Sequence, residues 1–170
     1  MSRFQPSYQQ TEPVRIIGID PGSRITGYGI IDKQGAGLGF VTCGTIRTGK
    51  EKDFSRRLLI IFQGLSEVIE QHTPKVAAVE DLFSAHNVRS ALKLGQARGA
   101  AVTAVINQGV PVHDYTPRVV KQAVAGYGHA EKEQVQIMVR TLLSLSGAPS
   151  SDAADALAVA ICHANHIDRL

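Results

Sequence analysis

The sequence of 170 residues has no tryptophan, 5% aromatic residues and only two cysteines. With so little aromatic bulk, the core must be filled by aliphatic layers, and 16 glycines together with abundant alanine let backbones approach closely. That combination favours an α/β architecture. Cys43 and Cys162 lie in apolar segments without CxxC spacing or a histidine at metal-ligand spacing. A disulfide framework and a zinc site are therefore excluded, and both residues are expected to be buried thiols. Long apolar runs are missing too: the longest, Ala156 to Ile161, falls far short of the roughly 18 residues of a membrane span. The opening MSRFQPSYQQTEP is polar and lacks the apolar stretch of a secretory signal. The expected location is the cytoplasm, with no membrane partner. Residues 1–13 show no hydrophobic periodicity and are expected to form a disordered arm, leaving 14–170 as a single domain.

Neither sign of charge dominates the whole, but the net +3 conceals an uneven distribution. Residues 82–140 carry seven Lys/Arg against three Asp/Glu, whereas residues 141–170 carry one against three. A basic middle facing an acidic end suits a polyanion held beside a carboxylate cluster.

The apolar pattern predicts the elements. RIIGID, ITGYGIID and FVTCGTIRT alternate as three strands, with KQGAGLG as a glycine-rich hairpin loop. Phe54, Leu58, Ile61, Phe62, Leu65, Val68 and Ile69 recur with helical period, ending before Pro74. VAAVE (76–80) is a short buried strand, 87–108 a long Ala- and Leu-rich helix, and PVHDY (111–115) a fifth strand. Thr116 before Pro117 starts a short helix, and helices over 131–145 and from Asp152 to His166 follow. The order βββαβαβααα predicts a meander extended by parallel strands, hence a mixed five-stranded sheet with helices on both faces.

Four carboxylates stand at element ends. Asp20 closes the first strand before a proline, and Glu80 closes VAAVE. Asp81 follows directly but must point to the other face. Asp152 and Asp155 are three apart and share one face of a helix whose next turns are wholly apolar. Each alone could be a turn or helix cap. Together, without a basic neighbour in sequence, they are like charges that would lose stability on burial unless compensated. A divalent cation supplies that compensation, and all-oxygen ligands select Mg²⁺ or Mn²⁺. Two such ions can clamp an in-line phosphoryl transfer, so metal-dependent phosphodiester hydrolysis is the expected reaction class.

GIDPGSRITGYGII (18–31), VEDLF (79–83), ALKLGQARGA (91–100), VKQAVAGYGHAEKEQVQ (120–136) and DAADALAVAI (152–161) resemble, in order and register, the RuvC family of bacterial Holliday junction resolvases. The resemblance implies a ribonuclease-H-like fold and a homodimer. It also implies paired symmetric nicks across a four-way DNA junction in recombination and repair, and a branch-migration helicase complex as partner. Asp20, Glu80, Asp152 and Asp155 fall on the family's catalytic carboxylates, implying two Mg²⁺ per subunit with Mn²⁺ as a substitute. Phe83 falls on an aromatic that stacks on a junction base. Lys121 and Lys132 match basic positions near the DNA, while Arg89, Lys93, Arg98 and Arg118 are candidate phosphate contacts. Small residues at Ala91, Ala97, Ala100, Ala101 and Ala104 fit either core packing or the helix through which the family pairs its subunits. A sugar-kinase or actin-like ATPase also opens on a strand, Asp and Gly, but needs two such domains, which 170 residues cannot supply.

Overall fold

The computed structural model describes residues 12–81 and 87–167. Ten elements follow in the expected order: β1 (Val14–Asp20), β2 (Ile25–Gln34), β3 (Gly37–Arg47), α1 (Phe54–His72), β4 (Val76–Glu80), α2 (Val88–Asn107), β5 (Val112–Tyr115), α3 (Pro117–Ala125), α4 (Lys132–Leu142) and α5 (Ser151–Ile167). They build one sheet in the order β3-β2-β1-β4-β5. β1, β2 and β3 pair antiparallel, and β4 and β5 continue the sheet in parallel. The hairpin differs from expectation. Its strands run on through most of the glycine-rich stretch, because Gly35 takes a left-handed φ of 56° and lets a two-residue turn join Gln34 to Gly37. Of the expected arm, residues 1–11 lie outside the described residues.

Side chains alternate between two cores. One face of β1 contributes Ile17 and Ile19, packed with Ile61 and Leu65 of α1 and with Ala97, Ala101 and Ala104 of α2. The other contributes Ile16, packed with Leu157 and Ile161 of α5 and with Val120, Val135 and Val139 of α3 and α4. Local signals place the helix starts: Asp53, Asn87 and Thr116 each accept a backbone N–H of the first turn of α1, α2 and α3. Among the described residues no helix is long and apolar enough to cross a membrane. Both cysteines are free; Cys162 is buried as expected, but Cys43 on the edge strand β3 is only half-buried.

Helix α5 lies directly on the sheet because glycines face it. A Cβ on Gly18 would stand 2.0 Å from the Ala156 carbonyl oxygen, and one on Gly27 would stand 2.1 Å from that of Asp152. Gly27 is also the register partner of Asp20. The start of α5 is thereby pressed against the strand end that carries Asp20.

Candidate active site

The parallel register brings Ile19 beside Val79, so β1 and β4 end side by side with Asp20 and Glu80 as neighbours. Asp152 and Asp155 face them from the first turns of α5, and all four carboxylates are half-buried. The Asp20 carboxyl is pushed up to about 8, first by burial and then by the charges of Glu80, Asp155 and Asp152. Glu80 is also raised, by burial and by Asp155, although a hydrogen bond with Asp20 and the cations of Lys132 and Lys121 oppose the shift. Burial and mutual repulsion thus disfavour the charged forms of both carboxyls.

Lys132 is the counter-charge within the cluster. Its Nζ donates to Asp155 Oδ2 at 2.7 Å, and this bond is the main reason its own pKa is raised. Lys121 faces Glu80 across a cleft of about 210 Å³ that Lys132, Asp155, Pro117 and Val135 also line. Among the described residues no three potential ligands are already drawn to the spacing of a bound ion. The donor set still fits a hard divalent cation: four carboxylates, no sulfur or imidazole, and two carboxyls whose protons such an ion would displace.

Other sequence candidates fall in different places. Asp81 turns away as expected: its N–H donates to the Tyr115 carbonyl at 2.8 Å, and its carboxylate lies 3.9 Å from Arg98. Arg98 is itself paired with Asp114 at 2.5 Å, which ties α2 to β5. Lys93 sits 5.6 Å over the Phe54 ring, joining α2 to α1. Arg89 and Arg118 are exposed. Phe83 lies outside the described residues. Ala97, Ala101 and Ala104 are fully buried against the sheet, which settles their small size as core packing. The Lys132–Asp155 bond, 23 residues apart in sequence, had no local signal beyond the placement of a lysine near the site.

A mixed β3-β2-β1-β4-β5 sheet with carboxylates gathered at the joint ends of β1, β4 and α5 defines a ribonuclease-H-like nuclease domain of the metal-dependent class. Residues 16–163 match the family described as crossover junction endodeoxyribonuclease RuvC. The chain belongs to that family. It is 60% identical over 152 residues to the crossover junction endodeoxyribonuclease RuvC of Geobacter metallireducens, covering 89% of this chain and 93% of that protein. Against the protein of the same name from Citrifermentans bemidjiense it is 62% identical over 150 residues, covering 88% and 92%. The fold superposes on T. thermophilus RuvC in complex with Holliday junction substrate with a TM-score of 0.86 at 38% identity, covering 92% of this chain and 96% of that one.

Proposed function

We propose that this protein is a structure-selective endonuclease that resolves four-way DNA junctions by paired symmetric nicks, hydrolysing phosphodiester bonds with divalent metal in homologous recombination and repair. The observation that carries this reading is the placement of Asp20 and Glu80 at the neighbouring ends of β1 and β4 beside Asp152 and Asp155 at the start of α5, close enough that burial and the charges of the other three push the Asp20 carboxyl up to about 8. Family membership supplies the substrate.

Asp20, Glu80, Asp152 and Asp155 would hold two Mg²⁺, with Mn²⁺ able to substitute. The ions supply charge neutralisation at the scissile phosphate and activation of the attacking water. The chain's own residues prepare the place: Asp20 and Glu80, whose charged forms burial disfavours, would be held ionised by bound cations, and Lys132 keeps Asp155 oriented at 2.7 Å while offering positive charge to the phosphate. Lys121, in the same cleft, holds the neighbouring stretch of backbone. Phe83 stacks on a base at the exchange point, and the exposed Arg89 and Arg118 anchor phosphates further out.

Two cuts need two sites, and the outer face of α2 supports a homodimer. Val88, Leu92 and Ile106 are 77%, 62% and 60% exposed. Gly95 and Gly99 complete the stripe between them, and a Cβ on either would meet nothing within 4 Å. Their three-and-four spacing is that of a helix seam whose glycines let a second backbone approach. Assembly with a branch-migration helicase and action in the cytoplasm belong to the same reading. A labelled four-way junction and a linear duplex of the same sequence, each incubated with protein and Mg²⁺, test it. Paired nicks confined to the junction are expected, and equal cutting of both substrates would overturn the proposal.

A further inference from the structure

We propose that a second basic groove, on the α1 side of the sheet, is a phosphate track that carries the DNA strand away from the carboxylates, with Arg24, Arg47 and Lys50 as its contacts. The inference rests on the reading of the substrate as DNA. The groove measures about 610 Å³ and lies between the start of β2, the end of β3 and Ile60 of α1. Arg24, Arg47 and Lys50 line it, all three are exposed, and among the described residues none makes an ion pair. The single carboxylate on the wall, Glu51, is engaged by the N–H of Asp53 at 2.8 Å. Three cations against one occupied carboxylate make a site for polyanion.

The groove is built, because a buried side chain ties its two walls together. Thr48 is 1% exposed. Its Oγ1 donates to the Ser23 carbonyl at 2.8 Å and its N–H to the Arg24 carbonyl at 2.9 Å. Thr26 Oγ1 donates to the Gly22 carbonyl at 3.0 Å, closing the same loop. The backbone that carries Arg24 is therefore fixed to the strand end that carries Arg47, and that loop begins directly after Asp20.

Register sets the distance. Asp20 pairs with Gly27, Gly27 with Thr45 and Ile25 with Arg47, so Arg47 lies two strands across from Asp20 and two residues further along. Strand spacing and rise make that separation about 12 Å. Successive phosphates of a strand rise about 3.4 Å along the axis and, with the helical rotation, lie about 6–7 Å apart, so Arg47 stands about two nucleotides from the scissile phosphate. Lys121 and Lys132 lie on the opposite face of the sheet, in the cleft walled by α3, α4 and α5. A strand held at both flanks crosses the sheet end over the carboxylates, which fixes the path of the backbone on each side of the cut.

The test uses the full chain bearing Arg24→Ala, Arg47→Ala and Lys50→Ala together, and a second variant bearing Arg24→Lys and Arg47→Lys. Binding of a labelled four-way junction without divalent metal is titrated at several salt concentrations. In the alanine variant the slope of log affinity on log salt should become shallower by about 2–3, since each phosphate contact contributes about 0.9. The lysine variant should keep the wild-type slope. Phosphate ethylation about two nucleotides to one side of the cut should interfere with wild-type binding and cease to matter in the alanine variant. A wild-type slope and ethylation pattern in the alanine variant, with an unchanged thermal midpoint, would overturn the track while leaving the function standing. Failure of the wild-type protein to bind the junction would instead overturn the reading of the substrate.

Discussion

The two ends of β1 handle charge in opposite ways. Near its start Arg15 grips Asp32 with two hydrogen bonds of 2.8 Å and donates a third to the His72 carbonyl. The guanidinium holds the Asp32 carboxyl below its ordinary range. At the far end, five residues on, Asp20 faces three carboxylates and is driven the other way. Helix α5 repeats the contrast. It begins with Asp152 and Asp155 in the cluster and, two turns beyond Asp155, buries His163, whose Nδ1 is hydrogen-bonded with the Tyr115 hydroxyl at 2.7 Å. One end of each element is satisfied from within the protein, and the other is left to be completed by something that arrives. Stability and function are separated along single elements.

The largest effect should come from the unsatisfied ends. Asp20→Asn should lower junction cleavage by about 10²–10³-fold or more, the scale of losing one preorganised electrostatic group, while junction binding survives. In chelator the same variant should melt higher than wild type, by about 2–4 °C for each kcal/mol of repulsion relieved. A lower midpoint would mean that the carboxylate cluster stabilises the empty fold, and the comparison would break. Next, Leu92→Arg on the outer face of α2 should give a monomer in sedimentation and turn a cruciform plasmid into nicked circles. Linear product at the wild-type rate from a proven monomer would remove the dimer from the mechanism.

A smaller effect concerns His163, which burial, together with His113 and His166, lowers to about 4. The unfolded chain binds this proton at about 6.5, so the contribution is present above that pH and is lost as pH falls towards 4. Thermal unfolding between pH 6.5 and 4 should show a loss of up to roughly 2–3 kcal/mol. His163→Asn, whose side-chain amide can donate to or accept from Tyr115 but does not titrate, should flatten that slope. Asp32 acts in a separate window. Its folded pKa is depressed, so its contribution is present above about 3.8 and is lost only below that. The smallest effect is at the satisfied end of β1: Arg15→Gln should cost about 1–2 kcal/mol and leave cleavage per folded molecule unchanged. Loss of cleavage there would show that the two ends are coupled.

Much of this was legible in one dimension because the signals are local. The apolar runs RIIGID and VAAVE, the helical period over 54–72 and the Thr116–Pro117 start led to the right elements and to a mixed sheet of the right kind. The i, i+3 spacing of Asp152 and Asp155 was enough to place both on one face. What escaped depends on contacts between distant segments. Nothing near Arg98 in sequence announces its ion pair with Asp114. Ala104 reads the same whether it faces a sheet or a second subunit, and only the packed fold puts it at 0% exposure while Leu92 stays outside. The hairpin departs from the loop that its glycine-rich composition predicts, since a single positive φ at Gly35 suffices for a tight turn.

Gly27 and Gly18 carry a further consequence. Where α5 crosses the strands, the clearance is smaller than a methyl group: an added carbon would sit about 2 Å from the helix backbone at both positions. Ordinary contact distance is about 3.5–4 Å, so one methyl would have to jack the helix start off the sheet by more than an ångström. Asp152 and Asp155 would travel with it, away from Asp20 and Glu80. The gauge of the gap between the strand ends and the helix start, which sets how far the two pairs of carboxylates stand apart, is thus fixed by two hydrogen atoms on residues that have no side chain to offer chemistry.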